Sequence, residues 1–301
     1  MSLHSVLYSM SKSSIAVFVF LFVAFLALAF FWANRPRRVI IESDLPLDFP
    51  VQGFSHTSFE GLLKTYVDAD GRVDYERWHQ NTAAVLVLES YLAAISKFSP
   101  DNASERFPDR NDELAYWMYG YNAYVIRSVL DRWPLDSVTD VKAPLEAVTG
   151  LGFFYQLRFS FGGEFFSLLG VETHKIRKQF KDPRIHFLLN CASESCPVAR
   201  PGLAVGEELD QLLELAAGDF INNPDNVAVD HVGQTVHLSR IFKWYKSDFV
   251  DDVRLGGKPV ENALLSYISQ YAVDDLSNAL AESGNYDIEF HDYDWGLNSK
   301  R

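Results

Sequence analysis

The sequence predicts an α+β fold: one mixed domain of helices and short antiparallel strands behind a single N-terminal transmembrane helix. Segments with the helical spacing of apolar residues alternate with short apolar runs that flank turn residues. They follow no regular strand-helix-strand rhythm, which argues against a doubly wound sheet. The 301 residues contain no internal repeat, so we expect a single domain over residues 54–298.

The most apolar segment runs from Ile15 to Ala33, without a charge, a proline or a glycine. At about 1.5 Å per helical residue it covers most of a bilayer core, and it has no polar face. Bulky aromatic residues at 30–32 occupy the expected cleavage position of a secretory signal. We therefore expect residues 1–38 to be an uncleaved membrane anchor rather than a cleaved signal, with the membrane as a partner.

Charge divides the chain into two parts. The formal net charge is −13, and residues 1–38 carry four basic residues and no acidic one, so the remainder carries −17. Such a domain repels phosphate backbones, which excludes nucleic acid as an expected partner. Arg35, Arg37 and Arg38 follow the apolar segment, where the positive-inside rule would place the domain in the cytoplasm.

The remaining elements follow from periodicity and turn residues. Residues 39–53, with prolines at 46 and 50, are predicted to be a tether. Helices are predicted over 59–67, 86–95, 113–130, 168–180, 209–220, 239–249 and 260–272. Hairpins are predicted around Asp70-Gly71, around Gly162-Gly163 and within 227–238. The apolar run 184–190 is predicted to be a buried strand.

The segment 182–201, DPRIHFLLNCASESCPVARP, carries the residues best suited to catalysis. It delivers His186 and then becomes a polar loop with Cys191, Ser193 and Cys196. A thiolate nucleophile needs a nearby base or cation to lower its pKa, and a histidine supplies either. His186 is one candidate base, although it reaches Cys191 only if the loop folds back, and His174 is the competing candidate.

Three interpretations of the two cysteines remain open at this stage. One of them is a nucleophile, or the pair forms a disulfide across four intervening residues, or both bind a metal with a histidine. The spacing is not that of a zinc knuckle, so we expect no metal and no other cofactor. Glu172, on the helix that bears His174, and Asn122, on an aromatic helix, are candidate orienting groups, although a structural role for the amide is the simpler interpretation.

The chain resembles the family called domain of unknown function 547. The matching segments are GRVDY (71–75), YWMYGYNAYVI (116–126), SLLGVETHKIR (167–177), PRIHFLLNCASESCP (183–197), LSRIFKWYKSDF (238–249) and YDWGLN (293–298). The family's recurrent polar residues correspond here to Asn122, Glu172, His186, Cys191, Ser193 and Cys196, with Asp294 in the closing motif and His174 also matching. Leu169-Gly170 and Gly120 depart from the family pattern.

The resemblance implies an exported or anchored bacterial protein that is similar to papain-like or transglutaminase-like thiol enzymes. We therefore expect an inner-membrane, single-pass protein with its domain in the periplasm. Its expected function is a thiol-dependent hydrolase or acyl transferase, with a protein or peptide-like substrate. The alternative is a non-catalytic envelope protein, binding or structural, with a Cys191–Cys196 disulfide. In papain-type enzymes the cysteine precedes its histidine, whereas the order of His186 and Cys191 is the reverse.

Overall fold

A computed structural model describes residues 12–33, 35–143, 146, 149–257 and 262–300. About half of these residues are helical and two small sheets accompany them, which confirms the predicted mixed α+β class. The longer helices are α1 (Lys12–Ala33), α2 (Thr57–Tyr66), α3 (Tyr75–Gln80), α4 (Thr82–Lys97), α5 (Arg110–Leu130), α6 (Glu207–Ile221), α7 (Arg240–Trp244), α8 (Lys246–Leu255), α9 (Ala263–Ile268) and α10 (Asp274–Glu282).

The N-terminal helix α1 requires a correction. Its side chains are described from residue 16 to residue 32, and its large apolar ones are exposed. No helix in the described part of the chain is long and apolar enough to cross a bilayer. The predicted transmembrane anchor, the membrane as partner and the single-pass inner-membrane location are therefore wrong on this finding.

Two three-stranded sheets lie at different places along the chain. The first has the order β1 (Arg37–Arg38), β2 (Leu157–Phe161) and β3 (Glu164–Phe166). β1 is parallel to β2, and β2 and β3 form the predicted hairpin at Gly162 and Gly163, both of which have positive φ. The second sheet has the order β4 (Val227–Asp230), β5 (Thr235–Leu238) and β6 (Asp287–Phe290), where β4 and β5 are antiparallel and β6 is parallel to β5.

The predicted tether contacts the domain at both ends. The Val39 backbone N–H donates to the Arg158 carbonyl at 2.8 Å, beside the β1–β2 pair. The Arg106 guanidinium donates to the carbonyls of Pro50 at 3.1 Å and Gly53 at 2.8 Å. Backbone groups at both ends of residues 39–53 are therefore hydrogen-bonded to the domain.

Helix α5 forms the centre of the core. The carboxylate of Asp109 caps it by accepting the backbone N–H groups of Asn111 and Asp112. Nearly every side chain from Leu114 to Leu130 is buried, and many of them are aromatic. Buried tyrosines of α5 still need hydrogen-bond partners. Tyr116 and Tyr124 donate at 2.7 Å to the carbonyls of Ile95 and Ser160, which ties α5 to α4 and β2.

Two π-helices and a 3₁₀-helix precede the polar loop that bears Cys191, Ser193 and Cys196. The π-helices are Gly152–Gln156 and Val171–Arg177, and the latter lies between the short α-helical pieces Leu168–Gly170 and Lys178–Phe180. The prediction of a buried strand at 184–190 is wrong, since Pro183–Phe187 is a 3₁₀-helix. The Asp182 side chain accepts the Arg184 backbone N–H at 2.9 Å, and Pro183 fits the first turn, so the local sequence begins a helix there.

Candidate active site

The loop from Asn190 to Pro197 presents both cysteines and is fixed from two sides. On one side Asn122 of α5 donates to the Leu188 carbonyl and accepts the Asn190 backbone N–H, each at 2.9 Å. Within the loop, Asn190 donates to the Pro197 carbonyl at 2.7 Å. Asn122 thus holds the entrance of the loop, as the structural interpretation of this amide expected.

The other side of the loop is covered by the C-terminal segment. Ser193 and Leu297 form an antiparallel bridge, and the Glu194 N–H donates to the Gly296 carbonyl at 2.7 Å. Ala192 has a φ of 63°, a left-handed conformation that is uncommon without glycine. The Asn298 N–H donates to the Ala192 carbonyl at 3.1 Å, so the segment that closes the chain holds this strained turn.

The thiol of Cys191 is surrounded by groups that stabilise a thiolate. Its sulfur lies 3.3 Å from Ser193 Oγ and 3.1 Å from the Tyr293 hydroxyl. Burial raises the pKa of this thiol, but hydrogen bonds from Cys196, Ser193 and Tyr293 and from the Ser193 backbone outweigh burial and bring it to about 7. Cys191 therefore ionises more readily than an ordinary thiol.

Cys196 is the more buried of the two cysteines, and its pKa is shifted in the opposite direction. Its sulfur accepts the Cys191 backbone N–H at 2.8 Å. Burial, and then the neighbouring Cys191 sulfur, raise the pKa of Cys196 well above its ordinary value. Both cysteines are free thiols in the structure. Cys191 is thus the sulfur that ionises, and Cys196 is the protonated neighbour that donates to it.

His186 is oriented by a carboxylate that the sequence analysis did not select. His186 Nε2 lies 2.9 Å from Asp248 Oδ2, and the imidazole stacks on Tyr245 with 3.7 Å between ring centroids. The Arg177 guanidinium donates two hydrogen bonds, of 2.7 and 2.9 Å, to the same carboxylate. Burial raises the pKa of Asp248, but the hydrogen bonds from His186 and Arg177 outweigh it and lower that pKa well below its ordinary range.

This arrangement determines which nitrogen of His186 can act as a base. Burial lowers the pKa of His186, so the imidazole is neutral at pH 7. An ionised Asp248 can only accept, so Nε2 carries the proton and Nδ1 keeps its lone pair. Among the described residues no hydrogen bond joins His186 or His174 to Cys191.

Glu172 is a buried acid with one oxygen unsatisfied. The residue is 6% exposed, and Oε1 has no hydrogen-bond partner among the described residues. The Tyr245 hydroxyl donates to this carboxylate. Burial raises the pKa of Glu172 despite that hydrogen bond and the nearby Arg177. Among the described residues Glu172 therefore makes no hydrogen bond to a histidine, and it lines the cleft with one buried oxygen unpartnered.

A cleft of about 640 Å³ brings these groups together. Its chemically active lining consists of Glu172, His186, Cys191 and Cys196. Aromatic side chains form much of the remaining wall: Tyr121, Phe154, Tyr155, Trp244, Tyr245, Tyr293 and Trp295. Arg240 and Asp292, paired at 3.0 Å, also line it. Apolar walls with a few converging polar groups are typical of sites for small ligands or side chains.

Three sequence candidates lie outside this cleft lining. His174 is exposed on the π-helix Val171–Arg177. Asn122 lies behind the loop, where it holds the backbone. Asp294 is exposed and uses its carboxylate to accept the Gly296 N–H at 2.8 Å. The structure therefore assembles four of the predicted side chains in the cleft and places these three elsewhere.

Comparison with known families identifies part of the chain. Residues 105–221 match the family described as "Protein of unknown function, DUF547". The chain carries a DUF547 region. This match confirms the family resemblance, and the DUF547 region contains Asn122, Glu172, His186 and both cysteines. No curated protein and no solved structure matches the chain.

The cleft also uses residues outside the matched DUF547 region, and the sequence analysis did not select them. Asp248 and Tyr245 lie in the segment 238–249, and Tyr293 and Trp295 lie in the segment 293–298. Both segments resemble the family, and this resemblance is the sequence signal by which these four residues could have been found. Within the described ranges, no three His, Cys, Asp or Glu side chains are grouped so as to hold a metal ion.

Proposed function

We propose that this chain is a thiol-dependent acyl hydrolase or acyl transferase with Cys191 as its nucleophile. One observation carries the proposal: a thiol with a pKa of about 7 lines the same cleft as a histidine that is held by a carboxylate. A structural cysteine has no need of hydrogen bonds that stabilise its ionised form. A nucleophilic cysteine does need them.

In the proposed acylation step, the Cys191 sulfur attacks a carbonyl carbon and forms a C–S bond. His186 Nδ1 takes the thiol proton from the fraction that is not already ionised, and Asp248 stabilises the resulting imidazolium. The carbonyl oxygen becomes an oxyanion. We assign as its hydrogen-bond donors the Tyr293 hydroxyl and the Ser193 N–H, which both contact the Cys191 sulfur. Collapse breaks the bond to the leaving group, which takes the proton from His186 or, where Cys191 was already ionised, from water.

Deacylation completes the cycle. A water molecule or another nucleophile attacks the thioester carbonyl while His186 Nδ1 accepts its proton. The C–S bond then breaks, the product acid or transferred acyl group leaves, and Cys191 returns to its thiol or thiolate form. Such a cycle is the same kind of chemistry that papain-like and transglutaminase-like enzymes perform. The reversed chain order of His186 and Cys191 is no obstacle, since catalytic triads occur in unrelated orders.

The test uses p-nitrophenyl acetate, which acylates reactive thiols and releases a coloured phenol. We expect a burst of about one equivalent of phenol per protein, lost in Cys191→Ala and slowed at least tenfold in His186→Ala. His174→Ala serves as the matched control, because this exposed histidine lies outside the cleft lining. An unchanged burst in Cys191→Ala would rule out the nucleophile. Equal slowing by His174→Ala would rule out His186 as the base.

The disulfide alternative remains a separate prediction. In the structure both sulfurs are free, and the Cys191 N–H donates to the Cys196 sulfur. A mass 2 Da below that of the dithiol form, in protein isolated without reductant, would indicate the bonded form. A protein bonded quantitatively would have no nucleophile, and its cleft would then serve binding alone.

A further inference from the structure

The unsatisfied oxygen of Glu172 is the feature that the proposed acyl chemistry does not use. A carboxyl oxygen that is buried without a hydrogen-bond partner loses the hydrogen bonds it makes with water, which destabilises the folded protein. Glu172 Oε1 is such an atom, and Glu172 lines the cleft together with Cys191. A group that enters the cleft and donates to this oxygen would recover that loss. The missing partner is therefore a hydrogen-bond donor on the ligand.

Charge favours a cationic donor over a neutral one. The nearest protein cation is Arg177, whose guanidinium makes its two strong hydrogen bonds to Asp248 instead. Arg240, the cation that lines the cleft, is paired with Asp292. Within the described part of the chain Glu172 thus forms no ion pair, although it feels the charge of Arg177. The residues after position 38 carry a formal charge of −17, which raises the local concentration of cations.

The walls near Glu172 are also suited to a cation. Tyr245 donates to the carboxylate, but its ring is already stacked on His186 and contacted by the Arg177 guanidinium. The pKa of Tyr121 is raised by burial and then by the charge of Glu172, so the Tyr121 ring also lies close to the carboxylate. Aromatic faces attract alkylammonium groups, and the effect grows when the site is desolvated. The same two tyrosines also sense the charge of Cys191, which places the carboxylate and the sulfur around a shared space.

We infer that the cleft binds a substrate with a primary alkylammonium group, which Glu172 holds beside Cys191. If the proposed function holds, this amine is the acyl acceptor. Glu172 takes a proton from the ammonium, and the free amine attacks the Cys191 thioester carbonyl. A C–N bond forms, the C–S bond breaks, and the second proton of the amine passes to the thiolate. The products are an amide and the free thiol.

Binding is tested first, with n-butylammonium chloride as the probe and n-butanol as its neutral match. Trp244 and Trp295 line the cleft, so tryptophan fluorescence reports occupancy. We expect n-butylammonium to bind at least tenfold more tightly than n-butanol, and Glu172→Gln to remove that preference. Glu164→Gln, at an exposed position of β3, is the control that should keep it. No preference in the unmodified protein, or an unchanged preference in Glu172→Gln, would overturn the inference.

The acceptor role is tested by product ratio. After acetylation with p-nitrophenyl acetate, the acetyl group partitions between water, n-butylamine and n-butanol. We expect Glu172→Gln to lower the ratio of N-butylacetamide to acetate at least tenfold while the ratio of butyl acetate to acetate stays the same. A merely structural defect would lower both ratios. Absence of acetylation with intact ammonium binding would refute the proposed function and the acceptor role, and would leave the ammonium site standing.

Discussion

The backbone N–H of Cys191 donates to the sulfur of Cys196 at 2.8 Å, and the Cys196 thiol in turn stabilises the ionised Cys191 sulfur. The two cysteines therefore play different parts in one small loop. Cys191 is the ionising thiol and lines the cleft, whereas Cys196 is buried and has a raised pKa. This division of roles determines how the thiols should respond to substitution.

Replacing Tyr293 by Phe should raise the pKa of Cys191. The hydroxyl lies 3.1 Å from the sulfur and stabilises the thiolate. A hydrogen bond to a charged group contributes about 1.5–3 kcal/mol, so we expect the pKa to rise by roughly 1 or more. Thiolate absorbance at 240 nm against pH measures it. Tyr286→Phe is the matched control, because that hydroxyl contacts His231 instead. An unaltered titration in Tyr293→Phe would contradict this contact.

Replacing Asp248 by Asn should lower stability at pH 7. The variant leaves Arg177 without its carboxylate, and we expect a loss of about 2–3 kcal/mol in urea unfolding.

The same carboxylate gives a pH dependence. The pKa of Asp248 is lower in the folded protein than in the unfolded chain, so its contribution is complete above about pH 4 and is lost as pH falls below that value. The difference between the wild-type protein and Asp248→Asn should therefore shrink as the pH is lowered from 7 to 3. A constant difference across that range would exclude this explanation.

Replacing Asn122 by Ala should loosen the cysteine loop without touching the cleft. The amide makes two hydrogen bonds of 2.9 Å to the backbone at Leu188 and Asn190. We expect a loss of about 1–3 kcal/mol in urea unfolding. Hydrogen exchange at Asn190, followed by NMR, should become faster. Retained stability and slow exchange at Asn190 would mean that the loop does not depend on this amide.

Much of the fold could be predicted because helical spacing and glycine turns are local signals. Helix α5 and the hairpin at Gly162 and Gly163 were predicted near their observed positions. The segment 184–190 was not, since an apolar run fits a strand or a buried helical turn equally well, and the Asp182 cap decided between them. Each residue of the parallel strand β6 pairs with a β5 residue 52 positions earlier, which no local pattern reveals.

The site could be predicted only in part, for a similar reason. Cys191 and His186 lie in one informative segment, and their residue types are typical of thiol chemistry. Asp248 and Tyr293 are 62 and 102 positions from the residues they contact, so the sequence does not reveal these pairs. Glu172 was predicted as an orienting group. Its unsatisfied oxygen became evident only from its surroundings.

Replacing Gly152 by Ala should disrupt the edge of the cleft. A Cβ there would collide with the backbone of Val141 and Ala143, which cannot move like a side-chain end. We expect a loss of several kcal/mol, or failure to fold. Gly218→Ala in α6 is the control, because nothing lies within 4 Å of its added Cβ. That variant should gain about 0.5–1 kcal/mol, as measured by thermal unfolding. Equal effects of the two variants would refute the close backbone contact.

The most direct test of the central claim is the pH dependence of alkylation at each cysteine. Iodoacetamide labelling at a series of pH values, with peptide mass spectrometry, separates Cys191 from Cys196. We expect Cys191 to label first, with a midpoint near pH 7, and Cys196 to remain largely unlabelled in the folded protein. A Cys191 midpoint at or above 8.5, as in an ordinary thiol, or faster labelling of Cys196, would contradict it.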